Sequence, residues 1–245
     1  LNATGVVAAL EFEARCLGPR QRRTGGLSSL SDGSLVRVSG IGGDNAARAA
    51  RSLVAAGAGA LLSWGVAGAL DPALGCGTAV LPCEVLRPRG GFGCATPQRF
   101  DTSDSWRERL AAALQQHARV ARGALLSSAA PAATVALKAT MFHETRAVAV
   151  DMESAAIAEI AAEHGLPFIA LRVILDTARD SLPASVMRAF EPAAAGRSLW
   201  PLLRAPSDWG SLLRLAGQYR VARRALSDCV RLGQPTRLTD APAGG

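Results

Sequence analysis

The sequence has little lysine, few aromatics, few histidines and no paired cysteines, and each shortage excludes something. Lys138 is the single lysine among 27 basic side chains; the rest are Arg. A skew this complete reflects overall composition more than a selected nucleic-acid surface. Aromatics make up 4% of the chain, whereas nucleic-acid binders interleave stacking rings with their basic residues, so no nucleic-acid partner is expected. The three His (117, 143, 164) are scattered without metal-ligand spacing. The five Cys (16, 76, 83, 94, 229) are odd in number and contain no CxxC pair. That argues against a disulfide framework or zinc site and fits a reducing cytoplasm. No bound metal and no cofactor are expected.

Long charge-free runs are also scarce. Ser52–Leu70 carries no charge over 19 residues, but Gly57, Gly59, Gly65 and Gly68 interrupt it. It reads as a helix end, a buried strand and a glycine loop at 65–68 rather than a membrane span. The opening LNATG lacks the basic and apolar regions of a secretory signal, so a cytoplasmic location is expected.

What is present is a globular composition, 49% apolar and 19% charged over 245 residues, with a net charge of +7. That excludes a disordered or collagen-like chain. Residues 197–245 hold eight Arg and three Asp, which is five of the seven net charges. Leu212, Leu215, Ala216, Tyr219, Ala222, Leu226, Cys229 and Val230 fall at helical spacing there, with Arg214, Arg220, Arg224 and Arg231 off the stripe and Arg223 intruding on it. This predicts a basic amphipathic helix that docks on its own domain. The sharper alternative is a peripheral contact with anionic lipid, with Trp200, Trp209 and the run 199–203 as anchors.

Upstream, apolar runs alternate with helical patterns. Strands are predicted at Gly5–Leu10, Leu35–Ser39, Ala60–Trp64, Thr78–Pro82, Ala124–Ser127, Ala147–Val150 and Phe168–Ile174. Helices are predicted over about 44–57, 105–118 and 152–164, and a long loop over 86–104. The alternation predicts an α/β fold, a mixed central sheet with helices on both faces. The chain reads as a single domain, with 197–245 as a helical extension.

Three acidic pieces lie at predicted strand ends, where open α/β sheets bind ligands. They are Glu11 and Glu13, Asp151-Met152-Glu153, and Asp176. Carboxylates there can hold sugar hydroxyls or move protons, although helix capping is the usual role, above all for Asp151. Gly40-Ile41-Gly42-Gly43 before a helix is a weak phosphate or dinucleotide signal, because the spaced fingerprint is incomplete. Gly65-Val66-Ala67-Gly68 is a second candidate for turning N–H groups toward a ligand.

Taken together, VVAALEFEARCL, SGIGGDNAARAA, WGVAGALDPALGCGTAVLP and AVAVDMESAAIAEIAAEHGLPFIALRVILDTA resemble the purine nucleoside phosphorylase and methylthioadenosine nucleosidase superfamily over about residues 5–182. SWGVAGALDPAL, DTARDSLP and the Arg-rich C-terminal helix are most similar to bacterial hopanoid-associated phosphorylases. The resemblance implies a nucleoside phosphorylase-like fold and residue roles. Asp176 would be the acid at purine N7, and Glu13 the carboxylate orienting a nucleophilic water. Met152 and Glu153 would bind the ribose, and Arg172 would orient the acids. Backbone near Ser128 and Ala129 would meet the purine. From the residues alone, Met141 and Phe142 are candidates for lining it or, equally, for core packing. Ser39, Gly40, Gly65, Val66 and Ala67 would form the nucleophile or phosphate loops.

The implied chemistry is physically coherent. A departing purine carries negative charge that a proton at N7 relieves, while positive charge on the ribose is stabilised by carboxylates. The nucleophile stays open. Glu13 favours water; the hopanoid resemblance favours inorganic phosphate as co-substrate and adenosylhopane as a lipid-linked substrate. Alternatives are a methylthioadenosine or adenosylhomocysteine nucleosidase and a non-catalytic nucleoside-binding module. A homodimer is the default expectation.

Overall fold

The computed structural model describes residues 3–89, 96–182 and 209–238. Trp200 and the run 199–203 lie outside them. The chain opens with β1 (Ala3–Ala8), α1 (Glu11–Cys16), β2 (Gln21–Arg22), β3 (Leu27–Ser29), β4 (Leu35–Val38), α2 (Gly43–Ala55) and β5 (Ala58–Ala69). Next come β6 (Ala79–Val80), β7 (Glu84–Arg87), β8 (Gln98–Asp101), α3 (Asp104–Leu114), β9 (Val120–Ala121) and β10 (Ala124–Ser127). It continues with α4 (Val135–Thr145), β11 (Ala149–Asp151), α5 (Ser154–Glu163), β12 (Phe168–Asp176) and α6 (Trp209–Gly233).

The strands form one mixed sheet in the order β2-β3-β4-β1-β5-β11-β10-β7-β8, with β12 branching from β5 to β6 and β9. β5 organises it. Its first half pairs parallel with β1 as far as Ala8↔Trp64, and its end pairs antiparallel with β11 at Gly68 and Ala69. β12 runs parallel along β5 from Phe168↔Leu61 to Asp176↔Gly68. Between Trp64 and Gly68, β5 therefore faces neither β1 nor β11. This gap is where the cavity forms.

Both faces are covered, as the alternating pattern predicts. On one, α2 buries Ala46, Ala49, Ala50 and Leu53, and α5 buries Ala155, Ile157, Ala158, Ile160 and Ala161. The small α2 side chains let it sit close to α5. On the other face, Trp64, Trp106, Leu110 and Leu114 pack with Ala222, Leu226 and Cys229 of α6. The C-terminal helix thus docks on its own chain against α1, α3 and β12. Arg214, Arg220, Arg223, Arg224 and Arg231 are exposed, so Arg223 does not intrude on the buried stripe. No helix among the described residues is long and apolar enough to cross a membrane.

Three local expectations change. The predicted loop at 86–104 contains β8, which pairs antiparallel with β7 from Arg87↔Gln98 to Glu84↔Asp101. Its Gly- and Pro-rich composition had hidden a hairpin. Residues 65–68 are strand, because β12 pairs with them in register through Val66 and Ala67. The helix predicted over about 105–118 runs from Asp104 to Leu114, with Ser103 at its N-cap position. The short helices α1 and α4 were not anticipated. Thr134 accepts a hydrogen bond from Leu137 N–H at the start of α4, and Arg146 ends it in the left-handed conformation.

Candidate active site

A cavity lies beside the stretch of β5 between its pairings with β1 and β11, at the C-terminal ends of β1, β11 and β12. Its acidic lining is Glu13, Asp151, Glu153 and Asp176. Its apolar lining includes Ile41, Pro131, Leu175, Leu182 and Leu215. Four carboxyl groups separated in sequence by up to 163 positions thus meet around one space.

Glu13 enters from the first turn of α1 and is 1% exposed. One oxygen accepts from Leu10 N–H at 2.9 Å, closing the turn. The other accepts from Val66 N–H at 2.9 Å, taking the place of a strand neighbour. The capping contact and a place in the cavity lining therefore coexist in one side chain. Burial pushes its carboxyl up, with Arg172 pulling the other way.

Gly65 makes this approach possible. A Cβ there would stand 2.4 Å from Glu13 Oε1 and 2.7 Å from Arg172 Nη1, at a φ of 154°. Gly65→Ala is expected to displace both charged groups and to lower stability by about 1–3 kcal/mol, readable as a fall in Tm. An unchanged Tm would mean that Glu13 does not need this approach.

Arg172, on β12, lies beneath the cavity, 1% exposed. It pairs with Asp151 at 2.7 Å and stands 4.0 Å from Glu153. It also donates to Ser63 Oγ at 2.6 Å and Ser154 Oγ at 3.1 Å. Asp151 accepts from Ser154 Oγ and from the N–H groups of Glu153 and Ser154. It thus satisfies N–H groups at the start of the following helix, whose N-cap position is Glu153, while Arg172 pairs with its carboxylate. Glu153, 6% exposed, accepts from Gly42 N–H at 2.8 Å. Burial first, and then the Asp151 carboxylate, push its carboxyl up to about 7.

Asp176 closes the other side, 5% exposed, beside Gly68, where a Cβ would lie 3.2 Å from Oδ2. Burial pushes its carboxyl above the usual range, opposed by Lys138, whose Nζ donates to Oδ2. Lys138 went unremarked as a site residue in the sequence. Its only signal was being the one lysine in an Arg-rich chain, set in the apolar segment VALKATMF.

The remaining sequence-picked residues divide. Met152, Val66 and Ala67 line the cavity; Gly65 and Arg172 support it from beneath. Ser39 and Gly40 do not line it. Their N–H groups bind Ala8 and Ala9 carbonyls, at 2.9 and 3.1 Å, extending the β1–β4 pairing. Ser128 and Ala129 are not in the lining either; Ala130, Pro131 and Ala132 are, and Ser128 N–H donates to the Asp151 carbonyl at 2.8 Å. Met141 and Phe142 pack in the small core under α4.

The raised carboxyls have a consequence for stability. Between its ordinary 4.5 and about 7, folded Glu153 keeps a proton that the unfolded chain has released. Its contribution is fully present below about 4.5 and is lost as pH rises through about 7. Glu13 and Asp176 act in the same direction; Glu11, Asp32 and Asp180 act oppositely but are more exposed. The urea midpoint is expected to fall from weakly acidic to weakly alkaline pH, and Glu153→Gln to flatten the fall. A midpoint rising over that interval would contradict it.

The family comparison agrees with this architecture. The model of the phosphorylase superfamily matches residues 30–199. The chain belongs to the phosphorylase superfamily. No curated protein sequence matches it. Among solved structures, a putative methylthioadenosine nucleosidase from Weissella paramesenteroides is similar, with 26% identity and a TM-score of 0.63, covering 72% of this chain and 88% of that one. The 5′-methylthioadenosine/S-adenosylhomocysteine nucleosidase of Neisseria meningitidis, solved with methylthio-immucillin-A, has 22% identity and a TM-score of 0.68 over 94% and 99%. A futalosine hydrolase mutant from Helicobacter pylori has 21% identity and a TM-score of 0.60 over 71% and 89%. These last two likenesses are of superfamily fold.

Proposed function

We propose that this phosphorylase-superfamily chain cleaves the N-glycosidic bond of a purine nucleoside, with water as nucleophile, and releases the free base. The observation that carries the reading is the convergence of Glu13, Glu153 and Asp176 on one cavity. Asp176 donates the proton to purine N7, Glu153 holds the ribose hydroxyls with Met152 against the sugar, and Glu13 takes a proton from the attacking water. The Weissella nucleosidase likeness supports the same reaction class.

Water is favoured over phosphate by where the N–H groups point. A phosphate dianion needs free N–H donors and cations. Here the Val66 N–H is bound to Glu13, the Gly42 N–H to Glu153, and the Ser39 and Gly40 N–H groups to carbonyls. Arg172 faces Asp151 and lies below the lining. A dianion beside Glu13 would meet a carboxylate instead.

The apolar lining of Ile41, Leu175, Leu182 and Leu215 favours a nucleoside whose 5′ position carries an apolar group. Methylthioadenosine and adenosylhopane are the small and large members of that class. Incubating each with and without phosphate, and following adenine and the sugar, tests the reading. Adenine with free sugar, independent of phosphate, supports it. A sugar 1-phosphate product would replace water by phosphate, and no adenine from either would overturn the activity.

A further inference from the structure

Lys138 has no solvent exposure at all. Burying an ammonium costs several kcal/mol unless its N–H groups find acceptors. All three do. They reach Asp176 Oδ2, the Thr177 carbonyl at 2.7 Å and the Asp180 carbonyl at 2.9 Å. Three acceptors fit an ammonium and not a neutral amine, whose lone pair would face an oxygen.

The placement is asymmetric. Asp176 lines the cavity and Lys138 does not. Oδ2 is committed to the ammonium, and Oδ1 is the carboxyl oxygen left to meet a ligand. A proton on Oδ2 would make it a hydroxyl oxygen, a weaker acceptor for the ammonium than a carbonyl oxygen. The acid's proton therefore belongs on Oδ1.

We propose that Lys138 is the positioning residue of the acid: its ammonium holds Oδ2, confines the transferable proton to Oδ1, and stabilises the carboxylate left once that proton has gone. This rests on Asp176 acting as the general acid. In the step, the Oδ1–H bond breaks as N7–H forms, and its electron pair stays on the carboxylate. The glycosidic C–N pair leaves with the base, water oxygen bonds to the sugar carbon, and the water proton passes to Glu13.

Burial alone makes Asp176 a weak acid; the ammonium strengthens it. Among the described residues, the other groups facing the pair are few. Asp180 opposes Lys138 by raising the acid, and its own carboxylate is held by Thr177 and Gln218, with Arg214 at 3.7 Å. The Cys76 thiol nearby is pushed up to about 11 by burial and by both aspartates, so it stays neutral. Glu13, Asp151 and Glu153 lie elsewhere around the same cavity.

Because the chain has one lysine, labelling the full protein with ζ-15N lysine, on a lysine-free tag, gives one side-chain ammonium signal. The chemical shift of that signal is expected to step at the pH where kcat/KM falls on the alkaline side. The step should vanish in Asp176→Asn. Lys138→Met should move the alkaline limb of kcat up by about one pH unit, a tenfold weaker acid, with kcat falling more than KM rises. Lys138→Arg should return the limb toward its original position. A lysine that merely packs would lower activity or Tm with the limb unmoved, which overturns the proposal. So would a labelled signal without a step, a readout that stands even if Lys138→Met fails to fold. A step with no turnover of any purine nucleoside would refute the proposed activity while upholding the Lys138–Asp176 pair.

Discussion

Asp176→Asn is expected to lower kcat by about 10²–10⁴-fold while leaving KM nearly unchanged, a loss of about 3–5 kcal/mol of transition-state stabilisation. The substitution keeps the shape of the side chain. Its carbonyl can still accept from Lys138, as Oδ2 does now, and its amide can still donate toward the purine. What it cannot do is part with a proton as the base leaves. An interaction used only in the transition state lowers kcat and kcat/KM together. Steady-state adenine release from methylthioadenosine reads the effect. Turnover within a few-fold of the parent would remove Asp176 from the role of acid, and with it the order of proton transfers proposed for this cavity.

The second large effect falls on folding. Arg172→Met is expected to cost about 3–5 kcal/mol, the usual penalty for removing one partner of a buried ion pair. The reason is local charge. Asp151 at 2.7 Å, Glu153 at 4.0 Å and Glu13, which shares the space beside Gly65 with it, all surround this guanidinium. Methionine fills much of the volume but leaves those carboxyls without their cation. Protonating them relieves the repulsion, so the cost is expected to shrink toward acid pH. Chemical denaturation of both proteins at acidic and alkaline pH measures it. A cost that is small, or that grows as pH falls, would show that Arg172 does not hold these acids together.

Much of this arrangement could be read before any fold was known. The alternation of apolar runs with helical patterns located β1, β4, α2, β10, α5 and β12 to within a few residues. The C-terminal stripe of Ala222, Leu226 and Cys229 pointed to a docked helix, and it packs against α3 and β12. The acids at strand ends were also visible, because strand ends are where a parallel sheet opens. Composition misled where it stood in for pairing. Glycines at 65 and 68 looked like a loop, yet they are strand positions emptied of side chains so that Glu13 and Asp176 can lie across them. The segment around Gln98–Asp101 looked like a loop until β7 supplied a partner.

Glu11 and Glu13 show most plainly where sequence runs out. The residues are the same type, two positions apart on one short helix. Glu11 is exposed and holds Arg20 at 2.5 Å; Glu13 is buried at the cavity and holds Val66 N–H. Only the direction of α1 relative to β5 separates a surface ion pair from a candidate site carboxylate.

By itself, then, the sequence determined periodicity and chemical type: an α/β sheet with helices on both faces, and a set of acids with one arginine near strand ends. Those properties are local and survive without knowing any partner. The tertiary structure alone decided which acids meet, that Val66 N–H is taken by Glu13, and that Lys138 reaches Asp176 across 38 positions. Such contacts depend on strand order and on the gap where β5 leaves β1 before meeting β11, and strand order is a property of the whole chain rather than of any segment.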